Sequence, residues 1–296
     1  MGLIYSREGF RVRIGIDAGG TLIKIIYEEN GLHFRKIEYN EAEQALNWLK
    51  TMAPSGDYVL TGGKAAILKE AFFPEAAIIP EFSATCEGAL HLIKEAGHPH
   101  ERLLLVNIGT GTSWYKIEDG KHERILGSGV GGGAFMGLGN IFTGKADHQK
   151  LAGLAAKGNR EKADLLVSDI YGDRSWLPSA AGQNERLKDV EAPIDGKLTA
   201  GNFANIAGKP SEEDLMAAAA NMIAETTVLL TKGAADTHHS KKIYYIGSSL
   251  QGNDALKKGL LTYSRMTGLD AAFLPNGEYS GALGAYLSSW NDKLMN

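Results

Sequence analysis

The chain has 296 residues, 44% hydrophobic and 22% charged, with a formal net charge of -4 from 31 basic and 35 acidic side chains. That size suits two lobes or one large α/β domain, and the slight acidity without a basic stripe argues against nucleic acid as a partner. The single cysteine, Cys86, excludes an internal disulfide framework and fits a reducing cytoplasm, and no apolar run approaches the ~20 residues a membrane helix needs.

The mixed residues Met1 to Phe10 lack an apolar h-region, so no secretory signal is expected. Arg11 to Ile16 (RVRIGI) predicts a strand that runs into Asp17-Ala18-Gly19-Gly20-Thr21. A second strand follows at Leu22 to Tyr27 and a third at His33 to Tyr39. Asn30-Gly31 lies between them, a strong short-range hairpin signal. Glu41 to Met52 places Ala42, Ala45, Leu46 and Leu49 at helical spacing. Short strands are expected at Tyr58 to Leu60 and Ala77 to Ile79, with helices after Lys64 and from about Phe82.

The same plan then recurs. Leu103 to Ile108 predicts a buried strand ending in Gly109-Thr110-Gly111-Thr112. Ser113 to Ile117 predicts the next, followed by a turn at Asp119-Gly120 and a third strand from His122. Two copies of strand, small-residue hairpin, strand, tight turn and strand imply two similar lobes, residues 1–98 and 99–296, divided near Gly97 to Glu101. Farther on, Gly127 to Gly139 is a loop feeding a helix, and Glu212 to Lys232 an alanine-rich helix. Lys242 to Ile246 is a strand ending in Gly247-Ser248-Ser249, Ala271 to Leu274 a strand, and Tyr279 to Trp290 a last helix.

Four small-residue turns, DAGGT, NIGTGT, GVGGG and IGSS, sit at strand ends or helix starts. A polyphosphate requires backbone N–H groups aimed at it with no side chains in the way, and Ser or Thr hydroxyls add donors. One such turn is ordinarily only a hairpin, whereas several at strand ends can converge on one cleft. No G-x-x-x-x-G-K-[ST] loop is present. GSGVGG at Gly127 to Gly132 fits G-x-G-x-x-G as a string but follows a hairpin rather than opening a βαβ unit.

The segment Ile16 to Thr21 resembles the first phosphate loop of the superfamily of acetate and sugar kinases, heat-shock chaperones and actin. IGIDAGGTLIKI, LTGGKA, PEF (Pro80 to Phe82), NIGTGTS, GGGAFMGLG, IGSS and NGEYSGALGA, in this order over nearly the whole chain, resemble the bacterial type II pantothenate kinases. The resemblance implies a two-lobed, actin-like (ribonuclease H-like) α/β fold with a duplicated mixed β-sheet core. It also implies ATP-dependent phosphorylation of pantothenate in the cytoplasm, with Mg²⁺, by a homodimer.

By that resemblance Asp17, Ala18, Gly19, Gly20, Thr21, Leu22, Ile23 and Lys24 line the triphosphate, and Asp17 holds Mg²⁺ through water. Thr110, Gly111 and Thr112 form the second phosphate loop. Gly131, Gly132, Gly133, Ala134, Phe135, His148 and Ser248 approach the nucleotide, and His148 stands where the family often carries an aromatic adenine contact. Glu81 is the general base, with Glu87 the next carboxylate in line, and Arg124 grips the pantothenate carboxylate. Tyr263 and Thr199 reach the substrate from the partner subunit.

On the residues themselves, plainer readings stand beside these. Asp17 can cap its own turn, Lys24 can be a strand lysine, Glu81 can offset a helix dipole, and Arg124 can be a surface arginine. The histidines form no metal motif, and Cys86 reads as a small buried helical residue. Two other functions fit the same fold: a kinase acting on a sugar or amino sugar, and an ATPase or activator without small-molecule kinase activity. The latter commonly needs cysteines that this chain lacks.

Overall fold

A computed structural model describes residues 12–97, 102–172 and 194–288. Met1 to Phe10, Trp290 and, apart from Gly97, the expected division at Gly97 to Glu101 lie outside the described residues.

The first described elements are three antiparallel strands, β1 (Arg13–Ala18), β2 (Leu22–Glu28) and β3 (Leu32–Glu38). Asn30 (φ 54°) and Gly31 (φ 134°) turn β2 into β3 with left-handed backbone, which is why Asn-Gly marked the hairpin. Helix α1 (Ala42–Met52), strand β4 (Asp57–Thr61), helix α2 (Ala65–Phe72), strand β5 (Ala77–Ile78) and helix α3 (Glu81–Glu95) follow. β4 pairs parallel with β1 and β5 with β4, giving the sheet order β3-β2-β1-β4-β5.

The second copy opens with β6 (Arg102–Ile108), β7 (Thr112–Glu118) and β8 (Lys121–Ser128), again antiparallel. Helices α4 (Gly132–Thr143) and α5 (His148–Ala155), strand β9 (Leu165–Leu166), helix α6 (Val167–Gly172), strand β10 (Thr199–Gly201) and the long α7 (Glu212–Thr237) intervene. The plan then resumes with β11 (Lys242–Ile246), α8 (Asp254–Met266), β12 (Asp270–Phe273) and α9 (Ser280–Ser288). β11 pairs parallel with β6 and β12 with β11, so the second sheet runs β8-β7-β6-β11-β12, the order of the first. The repeat read from the two hairpins therefore extends to five strands, two of them delivered after a long insertion.

The central strands are apolar on both faces because helices cover both sides. Ile14, Ile16, Ile23, Leu46 and Leu60 are fully buried in the first core, each worth roughly 1.5–3 kcal/mol of burial. Helix α9 lies directly on β1, where a Cβ at Gly15 would meet the Ala282 carbonyl at 2.2 Å. α9 also packs against α3.

Two compact units divide the chain. One comprises Met1–Gly132, Leu230–Gln251 and Ser264–Asn296 and contains both five-stranded sheets; the other comprises Gly133–Leu229 and Gly252–Tyr263. Within the second unit β9 and β10 pair antiparallel, and α7 starts from a reciprocal cap in which Asp214 N–H donates to Ser211 Oγ and Ser211 N–H to Asp214 Oδ2, both at 3.2 Å. α7 continues to Thr237, beyond the expected end at Lys232.

Candidate active site

The hairpins at the C-terminal ends of β1 and β6 open into one cleft of about 380 Å³, wholly within the first unit. From the first hairpin come Asp17, Gly19, Gly20, Thr21, Leu22 and Lys24; from the second, Asn107, Gly109, Thr110, Gly111, Thr112 and Ser113. Thr21 Oγ1 lies 3.3 Å from Thr110 Oγ1, so the two hairpins touch across the opening. The glycine run after β8 packs on the second hairpin: Gly132 N–H donates to the Gly109 carbonyl at 2.8 Å, and a Cβ on Gly131 would stand 2.8 Å from the Gly111 carbonyl carbon. Ser249 Oγ donates to that same Gly109 carbonyl at 2.8 Å, while Ser248 lines the cleft. Three of the four small-residue turns thus contribute residues to one cleft, and the fourth packs behind the second hairpin.

Asp17 is buried at the end of β1. Its Oδ2 lies 3.3 Å from Lys24 Nζ, and the space around the carboxylate is so tight that a Cβ on Gly281 would approach Oδ2 to 2.8 Å. Gly281 is in the first turn of α9, where the helix dipole favours a negative charge. On the other side, Gly62 at φ 93° leaves no room for a side chain, its Cβ direction running 2.6 Å from Asp17 Oδ1. The second sheet repeats the device, with Gly247 at φ 115° beside Asn107 Oδ1. The duplicated position therefore carries a carboxylate in the first copy and a neutral amide in the second.

Glu81 is the first residue of α3, one position before the expected helix start, with Pro80 as its N-cap. It lines the cleft and remains open to solvent there. Desolvation by the surrounding walls raises its carboxyl pKa above the ordinary value. The Asp17 charge adds to the rise, and Lys24 and Arg124 oppose it. Arg124, on β8, stacks over the Phe82 ring at 5.1 Å, and its Nε lies 3.4 Å from Ser113 Oγ. Tyr115, 5.8 Å from Phe82, completes an aromatic wall, and its hydroxyl pKa is pushed up, chiefly by burial. The cleft therefore offers backbone corners and hydroxyls together with an acid, a guanidinium and the Tyr115 ring, and the Phe82 ring stacks on that guanidinium.

Other expected residues are placed elsewhere. Ala18 and Ile23 are fully buried in the first hydrophobic core, because strand alternation turns Leu22 and Lys24 to the cleft and Ile23 away from it. Glu87 faces His122 at 3.8 Å and does not line the cleft. Cys86 is fully buried with its thiol pKa raised to about 12, mainly by burial.

Gly133, Ala134, Phe135 and His148 belong to the second unit, where the Phe135 and His148 rings stand 5.8 Å apart. Thr199 and Tyr263 also lie in that unit, in one network: Tyr263 Oη donates to Asn221 Oδ1 at 3.0 Å, Asn221 Nδ2 to Thr199 Oγ1 at 3.2 Å, and Arg160 to the same Thr199 oxygen at 3.0 Å. Sequence reasoning gave no role to Thr85, Asn107, Tyr115, Glu278 and Ser280, which line the cleft. Asn107 lay in the NIGTGT turn, at the place in the repeat that Asp17 holds in the first copy, and Glu278 and Ser280 lay in NGEYSGALGA; Thr85 and Tyr115 carried no signal.

A family model described as Fumble matches residues 81–288. A type II pantothenate kinase of Oceanobacillus iheyensis is 40% identical over 281 residues, spanning 94% of this chain and 99% of the relative. One from Staphylococcus saprophyticus is 35% identical over 279 residues, spanning 93% and 99%. Among solved structures, component A of the (R)-2-hydroxyglutaryl-CoA dehydratase of Acidaminococcus fermentans superposes with a TM-score of 0.59 at 16% identity, over 94% of this chain and 97% of that one. A glucokinase of Streptomyces griseus, solved with glucose and AMPPNP, superposes with a TM-score of 0.51 at 14% identity, over 93% and 98%. These two likenesses show the fold: two mixed sheets with flanking helices in the actin-like ATPase arrangement.

Proposed function

The chain belongs to the type II pantothenate kinase family, and from that premise we propose how its cleft performs the family's reaction. The reaction is transfer of the ATP γ-phosphoryl group to the primary hydroxyl of pantothenate, the first step of coenzyme A biosynthesis. The nucleotide tail lies along the two hairpins, with the N–H groups of the glycine corners and the Thr21 and Thr110 hydroxyls as donors, while the Thr112 hydroxyl braces the second hairpin by donating to the Val130 carbonyl at 2.7 Å. The acceptor alcohol lies beside Glu81. The alcohol oxygen bonds to the γ-phosphorus as the bond from that phosphorus to the bridging oxygen breaks. Glu81 accepts the alcohol proton, and ADP departs. The observation that carries this reading is one solvent-open acid, with a raised pKa, at the mouth of a cleft built from both glycine-bearing hairpins.

Mg²⁺ belongs to the same reading. Among the described residues no group of three or more His, Cys, Asp and Glu side chains converges into a metal cage. Asp17 on β1 would hold such an ion, which would neutralise phosphate charge there. Loss of turnover on chelation, restored by added Mg²⁺, tests that assignment.

The division into a lobe of residues 1–98 with the first loop and the base, and a lobe of residues 99–296 with the second loop, rests on the matching strand orders. Gly133, Ala134, Phe135 and His148 are assigned to the nucleotide by the resemblance. A homodimer in which Tyr263 and Thr199 of one copy reach the substrate of the other is the family expectation, and their shared network gives them a common anchor. A monomer by sedimentation at assay concentration would remove the dimer from the account. No helix among the described residues is long and apolar enough to cross a membrane, and we place the enzyme in the cytoplasm, which cell fractionation checks.

A phosphorylation assay over pantothenate, a carboxylate-free pantothenate amide, glucose and an amino sugar, read by product mass, tests the acceptor. Only the pantothenate compounds should gain phosphate; phosphate on the sugars instead would overturn the reading. In the same assay Arg124→Gln should raise the KM for pantothenate roughly tenfold or more, the scale of a charged hydrogen bond, and barely move the KM for the amide.

A further inference from the structure

We propose that Tyr39 and Lys64 are positioning residues that set the first phosphate loop, by holding its carbonyls outward so that its amides face the nucleotide. Tyr39 follows β3 and Lys64 precedes α2, so neither comes from the loop itself. Tyr39 Oη donates to the Gly19 carbonyl at 2.6 Å. Lys64 Nζ donates to the Gly20 carbonyl at 3.0 Å and sits 3.6 Å above the Tyr39 ring. The two side chains therefore form one brace, gripping two consecutive carbonyls and each other.

A trans peptide unit is planar, and its C=O and the following N–H point in opposite directions. No cis peptide occurs among the described residues. Pinning the Gly19 carbonyl therefore aims the Gly20 N–H away from Tyr39, and pinning the Gly20 carbonyl aims the Thr21 N–H away from Lys64. Gly20 and Thr21 both line the cleft, and a Cβ on Gly20 would face Thr110 Oγ1 at 3.3 Å. The Gly19 N–H is already committed to the Leu22 carbonyl at 3.1 Å, which closes the hairpin and leaves the next two amides as the pair to be aimed. A flexible glycine pair left to itself would sample carbonyl-in states that repel phosphate. The brace removes those states before the nucleotide arrives. The Lys64 backbone ties in as well, its N–H donating to the Ala18 carbonyl at 3.0 Å.

This inference rests on the reading of the hairpin as a nucleotide site. The decisive variants are Tyr39→Phe, which keeps the ring beneath Lys64 and deletes the hydroxyl, and Lys64→Met, with Lys64→Arg as the donor-retaining control. Affinities for ATP and ADP are measured on the full chain by calorimetry, together with Tm and the KM for pantothenate at saturating ATP. Tyr39→Phe should weaken ATP and ADP about fivefold, and Lys64→Met about tenfold or more, with Lys64→Arg recovering most of the loss. Tm and the pantothenate KM should hold. Unchanged ATP affinity in both variants, or a matching rise in the pantothenate KM, overturns the proposal. If wild-type protein binds ATP but phosphorylates no pantothenate, the assigned reaction falls while the brace remains testable by binding.

Discussion

Glu81→Gln should leave ATP bound and nearly stop phosphoryl transfer. The substitution keeps the size and hydrogen-bonding reach of the side chain and removes only its capacity to take a proton. A positioned base contributes about 10²–10⁴-fold to such a step, so kcat should fall by that factor while the ATP affinity changes little. The glycine corners and hydroxyls that line the cleft and are proposed to hold the tail come from other elements and are untouched. Full activity in Glu81→Gln would remove this residue from the role.

The pH dependence carries a second reading of the same group. Burial, then the Asp17 charge, raises the Glu81 carboxyl pKa, and only the ionised form can accept the alcohol proton. The wild-type acid limb of kcat/KM should therefore lie above the ordinary carboxylate range of about 4.3, with activity lost as pH falls through it. In Glu81→Gln that limb should vanish from the residual rate. Stability responds with the opposite sign. A carboxyl with a raised folded-state pKa lets the folded protein bind more protons than the unfolded chain, so its contribution weakens as pH rises between the unfolded and folded values. Glu81→Gln should hold or raise the Tm at neutral pH, a sign that the acid is placed for chemistry rather than for the fold.

Gly284→Val should be the most damaging substitution far from any reacting atom. Helices α3 and α9 cross with their backbones in contact: a Cβ on Gly284 would stand 1.9 Å from the Ala84 carbonyl oxygen, and one on Gly88 2.0 Å from the Ser280 carbonyl oxygen. Both obstacles are backbone, so no rotamer change relieves them, and the helices must part by on the order of 1–2 Å. Overpacking of this kind costs about 3 kcal/mol, or roughly 5 °C in Tm for a chain of this size. Activity should fall as well. α3 carries Glu81 at its first residue, and α9 presents Gly281 to the Asp17 carboxylate. A shift near 1 Å between them can cost about 10²-fold in rate. Gly153→Ala is the control, because that helical glycine on α5 has no atom within 4 Å of its Cβ position. The control should be neutral or slightly stabilising by melting curve, and a Gly284→Val protein that melts and turns over like wild type would refute the argument.

The amino-acid sequence by itself determined the local elements. Asn30-Gly31 and Asp119-Gly120 mark their turns because only such residues accept left-handed backbone cheaply, and both turns are observed there. The alternation in LIKII set which side chains of β2 face the core, and the duplicated strand–hairpin–strand string was visible because each copy is contiguous. The tertiary structure decided what pairing over long separations requires. β11 and β12 rejoin β6 only after the insertion from α4 to α7, and no local pattern encodes that register. Gly88 and Gly284 read as ordinary helical glycines until two backbones meet across them. Tyr39 and Lys64 read as a strand-end aromatic and a helix-start lysine until they reach two consecutive carbonyls of one loop. Propensity and periodicity act over a few neighbouring residues, whereas a close approach or a brace exists only once distant segments are packed together, which is where this cleft was made.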